Sequence, residues 1–233
     1  FVPLGAKRAD GSPHPYAGTG FGICQSLVFP TDKDGLFSWQ DKFVHNTELH
    51  QLAYDGTQFT SQKTDLGGAT HPVVGDTGWT ITAPGIVNAI PDGDDLLWAG
   101  AVSGPTGGTC GMVRWRCEGG VWKPVACSPA TPANKGWSEP SLVRDADGSL
   151  LYGARGAGDE TVYGISVWRS TDGGDAWTEI VHVPDVVQEA PVSIGRAVDG
   201  TPFVGACLKE HGRELLCMWP LNPERNALRT PLI

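Results

Sequence analysis

The sequence predicts an all-β protein, a propeller of radially stacked antiparallel sheets, and three observations carry that prediction. The 233 residues include 32 Gly, 18 Pro and 9 Trp with few Lys or Glu, a composition that suits short strands and tight turns and is poor for long helices. An Asp-Gly pair followed by an apolar strand recurs from Asp34, Asp92, Asp147 and Asp199, at separations of 58, 55 and 52 residues. Companion strands flank each copy, so each unit is three or four short strands of about 50 residues that cannot bury both faces alone. Radial stacking closes the core and leaves only short, protected edges. A β-sandwich also uses short strands but does not need this period.

The units follow in order, and the whole of 1–233 is read as one propeller domain or a segment of one. The first, 15–66, carries "DKDGLFSW" and then "ELHQLAYDGTQF". The second, 79–128, runs "TAPGIVNAI", "PDGDDLLWAGA" and "GMVRWRCEGGVW". The third, 137–184, runs "SEPSLVRDA", "DADGSLLYGAR" and "GISVWRSTDGGDAW". The fourth, 190–233, runs from the end of "EAPVSIGRA" through "AVDGTPFVGAC" to "ELLCMWPLNPERN".

Composition also excludes classes of function. A formal charge of −9 argues against a nucleic-acid partner, which needs a basic patch. No apolar run approaches the roughly 18 residues of a membrane span, so no membrane insertion is expected. The chain begins at Phe1 rather than Met, which fits a processed or trimmed product, secreted or periplasmic, whose signal peptide is gone. None of the six cysteines forms a CxxC pair, and no metal is expected. Cys207 and Cys217 flank a hairpin centred near Gly212, which leaves open either a cross-strand disulfide or buried thiols.

In the third unit "STDGGDAW" places Ser170, Asp172, Gly174 and Trp177 in the pattern S-x-D-x-G-x-x-W, the Asp-box. Its Ser and Asp satisfy turn backbone groups, its Gly takes a positive φ and its Trp packs back on the blade, a structural role. "YDGTQF" and "CEGGVW" are decayed versions. With this box after "EPSLVRDADGSLLYGARG", the sequence resembles the sialidase (neuraminidase) superfamily, strongly over about 137–184 and more weakly elsewhere.

That resemblance implies a six-bladed propeller and an exo-glycosidase acting on a terminal acidic sugar of the sialic acid type, without cofactor. It implies that Glu139 is the carboxylate paired with a nucleophilic tyrosine, and that Arg155 and Arg213 belong to a cluster of arginines clamping the sugar carboxylate. The chemistry is sound independently: a planar guanidinium grips a carboxylate through two parallel hydrogen bonds, and a tyrosine needs a neighbouring base before it attacks. At the strand position of Arg155 the neighbouring units carry Ala101 or Val102 and Cys207, so one repeat has left the apolar default.

The family's other groups have weaker counterparts. Arg8 is the one arginine near the N-terminus for the first clamp position, and Asp32, Asp41 and Asp76 are the candidates for the acid/base. The family's tyrosine follows its last clamp arginine, whereas Tyr16, Tyr54, Tyr152 and Tyr163 all precede Arg213. Two alternatives stand beside the hydrolase: a polysaccharide lyase using His45, His50 or His71 with Arg155, and a non-catalytic glycan-binding propeller presenting Trp39, Trp98, Trp137 or Trp168.

Overall fold

A computed structural model describes residues 1–28, 44–86, 89–156, 164–184, 191–208, 210 and 214–232. The elements described are strands, in four antiparallel sheets. The first sheet holds β1 (Thr19–Val28), β2 (Val44–Tyr54) and β3 (Phe59–Lys63). The second runs β4 (Val73–Val74), β5 (Trp79–Pro84), β7 (Asp95–Gly104), β8 (Gly107–Glu118) and β9 (Val121–Pro129), with β6 (Ile90–Asp92) also paired to β7. The third is β10 (Trp137–Arg144), β11 (Leu150–Gly156), β12 (Gly164–Ser170) and β13 (Thr178–Val183). The fourth is β14 (Ser193–Arg196), β15 (Pro202–Cys207) and β16 (Leu216–Pro220).

Three apolar cores separate these four sheets, one at each junction. Between the first and second sheets, Phe21 and Leu49 meet Trp79, Trp98, Trp115 and Trp122. Phe21 stacks on Trp115 with ring centroids 3.8 Å apart and planes at 15°. Between the second and third, Leu97, Ala99 and Met112 meet Leu150, Tyr152 and Trp168. Between the third and fourth, Leu151, Ile165 and Val167 meet Ile194, Val204 and Trp219. Strand alternation explains the pattern: Leu150 and Leu151 are neighbours in sequence but face different cores, because successive side chains leave opposite faces. Each middle sheet therefore has two apolar faces, as a propeller blade must.

The two ends of each sheet differ in chemistry. At one end lie the Asp-Gly turns. Asp147 Oδ1 accepts from the Ser149 N–H at 2.9 Å, Asp199 Oδ1 from Thr201 at 2.9 Å and Asp55 Oδ1 from Thr57 at 2.8 Å. The Asp-Gly pair at 34 lies outside the described residues, and Asp10 makes the same turn, accepting from the Ser12 N–H at 2.9 Å. In these four turns the following glycine has φ between 84° and 98°, where a Cβ would be strained.

Arginine–aspartate pairs at this end cross each sheet junction. Arg8 reaches Asp94 between the N-terminal segment and the second sheet, Arg144 reaches Asp92 between the second and third, and Arg225 reaches Asp145 between the third and fourth. Arg8, the one arginine near the N-terminus, spends its guanidinium on Asp94, in the turn between β6 and β7. A correction concerns Cys207 and Cys217. Cys217 pairs with Ala206 and Cys207 with Leu216, so the two thiols leave opposite faces of the sheet and no disulfide links them.

Truncating Phe21 to Ala should destabilise the fold by about 3–5 kcal/mol, as for other large core aromatics, measured by denaturant unfolding. Acid should act through the turns. Hydrogen bonds hold these carboxyls below the ordinary carboxylate range, led by the Ser12 hydroxyl for Asp10, the Gln58 N–H for Asp55, the Ser149 hydroxyl for Asp147 and the Thr201 N–H for Asp199. A depressed folded-state pKa gives stability that is present above the unfolded value, near 3.8, and is lost as pH falls through the folded value. The melting temperature should therefore drop below about pH 4, and a variant with the four aspartates changed to Asn should show a shallower acid limb.

Candidate functional site

The end opposite the Asp-Gly turns is built on β10 and β11. Leu150 pairs with Ser170 at the turn end, whereas Arg155 pairs with Ile165 roughly 16 Å further along β11. β10 is the edge strand of its sheet and packs on both neighbouring sheets. It pairs Ser138 with Arg155 and then Ser141 with Gly153, and the register slips between them. Glu139 and Pro140 occupy that slip. Pro140 has no N–H for the ladder, and its carbonyl accepts from the Ile86 N–H of the second sheet at 2.9 Å. Glu139 has φ 49°, a left-handed conformation unusual for a residue other than glycine.

The bulge aims Glu139 at the neighbouring strand. Arg155 Nη1 lies 2.6 Å from Glu139 Oε2, with side chains 18 % and 35 % exposed respectively. Distance makes this an ion pair, but its angle falls outside hydrogen-bond geometry, and both Oε2 and Arg155 Nε lack a hydrogen-bond partner. The Ser138 hydroxyl and the Trp137 indole N–H are also buried and unbonded. Six buried side-chain polar atoms of the described residues lack partners, and four belong to Trp137, Ser138, Glu139 and Arg155. Such atoms are rare in folded interiors, and their concentration here distinguishes this end from the saturated turns opposite. The carboxylate also faces the second sheet: burial first, then the charge of Glu139, push the Cys110 thiol up to about 12.

A sequence signal for this site lies in the repeat itself. "TAPG", "SEPS" and "EAPV" align on their prolines, and the residue before Pro is Ala83, Glu139 and Ala190. The second sheet shows a register slip one position earlier, between Ile81 and Ala83. Glu139 therefore replaces a default alanine at a built-in bulge, as Arg155 replaces Ala101 and Cys207. Ser138 and the Ser141 hydroxyl, which accepts from the Ile194 N–H at 2.6 Å and ties the bulge to the fourth sheet, carried no signal in the sequence reading.

The remaining candidates do not join this pair. Arg213, Asp32, Asp41, Tyr163 and Trp39 lie outside the described residues. Asp76 is exposed in the turn between β4 and β5. Tyr152 is fully buried with its hydroxyl donating to the Gly111 carbonyl at 3.0 Å, and burial first, with the neighbouring Cys110 and Cys127, raises its pKa well above the usual phenol value. Tyr54 donates to Gly56 at the turn end, and Tyr16 packs on Trp122 in the first core. His50 bonds Ser61 and Glu48 on the first sheet, His71 bonds Thr47, and His45 falls in β2. Trp98, Trp137 and Trp168 are core residues, not exposed platforms.

In the turn after β12, Ser170 Oγ donates to Asp172 Oδ1 at 2.7 Å, and the same Oδ1 accepts from the N–H groups of Asp175 and Ala176 at 3.1 Å. Gly174 has φ 104°, and a Cβ there would come within 2.2 Å of Met112. Trp177 is partly buried and packs against the second core, edge-on to Tyr152, with Nε1 donating to Ser128 Oγ at 3.3 Å.

No family model and no curated protein sequence matches the chain. Solved structures match its fold. A Dyadobacter fermentans protein described as of unknown function superimposes with TM-score 0.54 at 17 % identity, over 93 % of this chain and 65 % of that one. A Trypanosoma rangeli sialidase, in complex with 2,3-difluorosialic acid as a covalent intermediate, superimposes with TM-score 0.51 at 16 % identity, over 88 % of this chain and 35 % of that one. This chain thus spans less than two thirds of the length of either, and what it shares with them is the β-propeller fold.

The left-handed backbone at Glu139 yields a direct test. Glu139→Gly and Glu139→Ala both remove the carboxylate, but only glycine relieves the backbone strain, so the Gly variant should be the more stable by about 1 kcal/mol in denaturant unfolding.

Proposed function

We propose that the end of the propeller carrying Glu139 and Arg155 recognises a terminal acidic sugar, and that the chain is a glycan-active protein of sialidase type. One observation carries this reading: the two positions at which the third unit departs from its repeat meet 2.6 Å apart, among the unbonded buried polar atoms of this end. A charged pair adds nothing that the apolar cores need. Arg155 supplies the planar fork suited to a carboxylate, and Glu139 supplies a base beside it. The fold shared with the trypanosomal sialidase, whose structure holds a sialic acid derivative, supports the same class of ligand.

Recognition, rather than turnover, is the part of exo-sialidase chemistry that these residues support. A retaining mechanism needs a nucleophile beside Glu139; among the described tyrosines the hydroxyls of Tyr54 and Tyr152 are spent on backbone carbonyls and Tyr16 packs in the first core, while Tyr163 lies outside the described residues. Hydrolysis of an α-sialoside through Glu139 is the finer form of the proposal. The lyase alternative draws no support from His50 and His71, whose hydrogen-bond partners lie in the first sheet.

Titration of N-acetylneuraminate into the chain should give binding that Arg155→Met abolishes and Arg155→Lys does not restore, because an ammonium lacks the two-pronged geometry. A neutral hexose should not bind. Undiminished binding by Arg155→Met would remove the site. Release of sugar from a chromogenic α-sialoside should stay below about 1 s⁻¹; faster release that Glu139→Gln abolishes would mean that another group serves as nucleophile.

A further inference from the structure

We infer that Glu139 is a built-in occupant of the Arg155 guanidinium, an internal carboxylate that an anionic ligand must displace before it is held. The inference rests on the reading of Arg155 as the anion-holding residue, and a contrast within the molecule carries it. Ion pairs at the turn end are closed by hydrogen bonds: Arg144 and Arg169 each donate to one aspartate oxygen and complete the guanidinium on the Gly148 carbonyl and the Ser149 hydroxyl respectively, Arg114 donates from Nη1 to Asp92 and Asp95, and three others are two-pronged. Arg225 Nε and Nη2 donate to the two oxygens of Asp145 at 2.7 and 3.2 Å, Arg116 does the same to Asp95 at 3.1 and 3.0 Å, and Arg8 to Asp94 at 2.7 and 2.5 Å. In each of these pairs the guanidinium donates to its partners in hydrogen-bond geometry.

The pair at the opposite end is made differently. Its closest approach, Nη1 to Oε2 at 2.6 Å, is off the line of a hydrogen bond, and among the described residues the buried Arg155 Nε and Glu139 Oε2 have no hydrogen-bond partner. The guanidinium is neutralised but not satisfied. A ligand carboxylate presenting two oxygens in plane would gain the bonds that Glu139 leaves unmade. The carboxylate it displaces has somewhere to go: the Glu139 side chain is 35 % exposed and stands on a bulge where the ladder between β10 and β11 is interrupted. Displacement would also set the carboxylate free beside the bound ligand, so that base and anion clamp become available together.

The test uses the whole chain with two probes, acetate and N-acetylneuraminate, titrated into the unsubstituted protein, Glu139→Gln, Glu139→Asp and Arg155→Met. Removing the competing charge should tighten binding of both probes to Glu139→Gln by about tenfold or more, and the shorter arm of Glu139→Asp should give a smaller gain. Arg155→Met should bind neither. Thermal melting reports whether each variant is folded, and Glu139→Asp carries the comparison if Glu139→Gln is not. Tighter acetate binding by Glu139→Gln without any sugar binding would support the displaced carboxylate and overturn the acidic-sugar reading. Equal or weaker binding of both probes by folded Glu139 variants would overturn the inference while leaving that reading intact, and failure of every variant to bind either probe would overturn both.

Discussion

Everything in this fold depends on the fact that a three- or four-stranded sheet with two apolar faces cannot fold by itself. Each face must meet another sheet, and the three cores are the consequence. Their residues are large and interleaved, Trp115 and Trp122 fully buried at one junction and Tyr152 at the next. Hydrophobic burial is non-directional, so it brings the sheets together without saying how they are rotated. Direction comes from the edge of each junction, where Arg8, Arg144 and Arg225 reach across to aspartates with defined geometry.

Among the described residues those contacts set apart an end whose carboxylates are bonded from an end where buried polar atoms lack partners. At the Asp-Gly turns nearly every carboxylate has an N–H, a hydroxyl or a guanidinium, and the lowered pKa values of Asp10, Asp147 and Asp172 express that saturation. At the Glu139 end a strained backbone, an ion pair outside hydrogen-bond geometry and unbonded polar atoms coincide. Strain persists only where its surroundings over-determine it, and here Pro140 and the Ser141 bond to Ile194 hold the bulge from both sides. The saturated turns and the candidate site thus lie at opposite ends of the same strands.

The Asp-Gly turns, the strand after each and the apolar default from which Arg155 departs were legible in the sequence, because turn chemistry and strand alternation act over a few residues. Glycine after aspartate predicts a positive φ whatever the rest of the chain does. Local rules also misled where they stopped short. Asp10-Gly11 makes the same turn as the recognised copies but is followed by "SPHPYAG" before β1 begins at Thr19, a stretch that does not match the apolar template.

What only tertiary structure decided is set by register and by distance along the chain. A slip of one residue moves a side chain to the other face, so the bulge at Glu139 and the opposite orientations of Cys207 and Cys217 needed the actual pairing. Arg8 and Arg225 find partners 86 and 80 residues away, and no local pattern distinguishes them from arginines that face a ligand. The sequence by itself determined that this chain is a set of repeated β-units with two charged residues out of place in the third; their meeting, and the spending of Arg8, Arg144 and Arg225 on structure, followed from how four sheets pack, because burial of apolar faces is specified locally whereas the pairing of charges is specified only by where those faces come to rest.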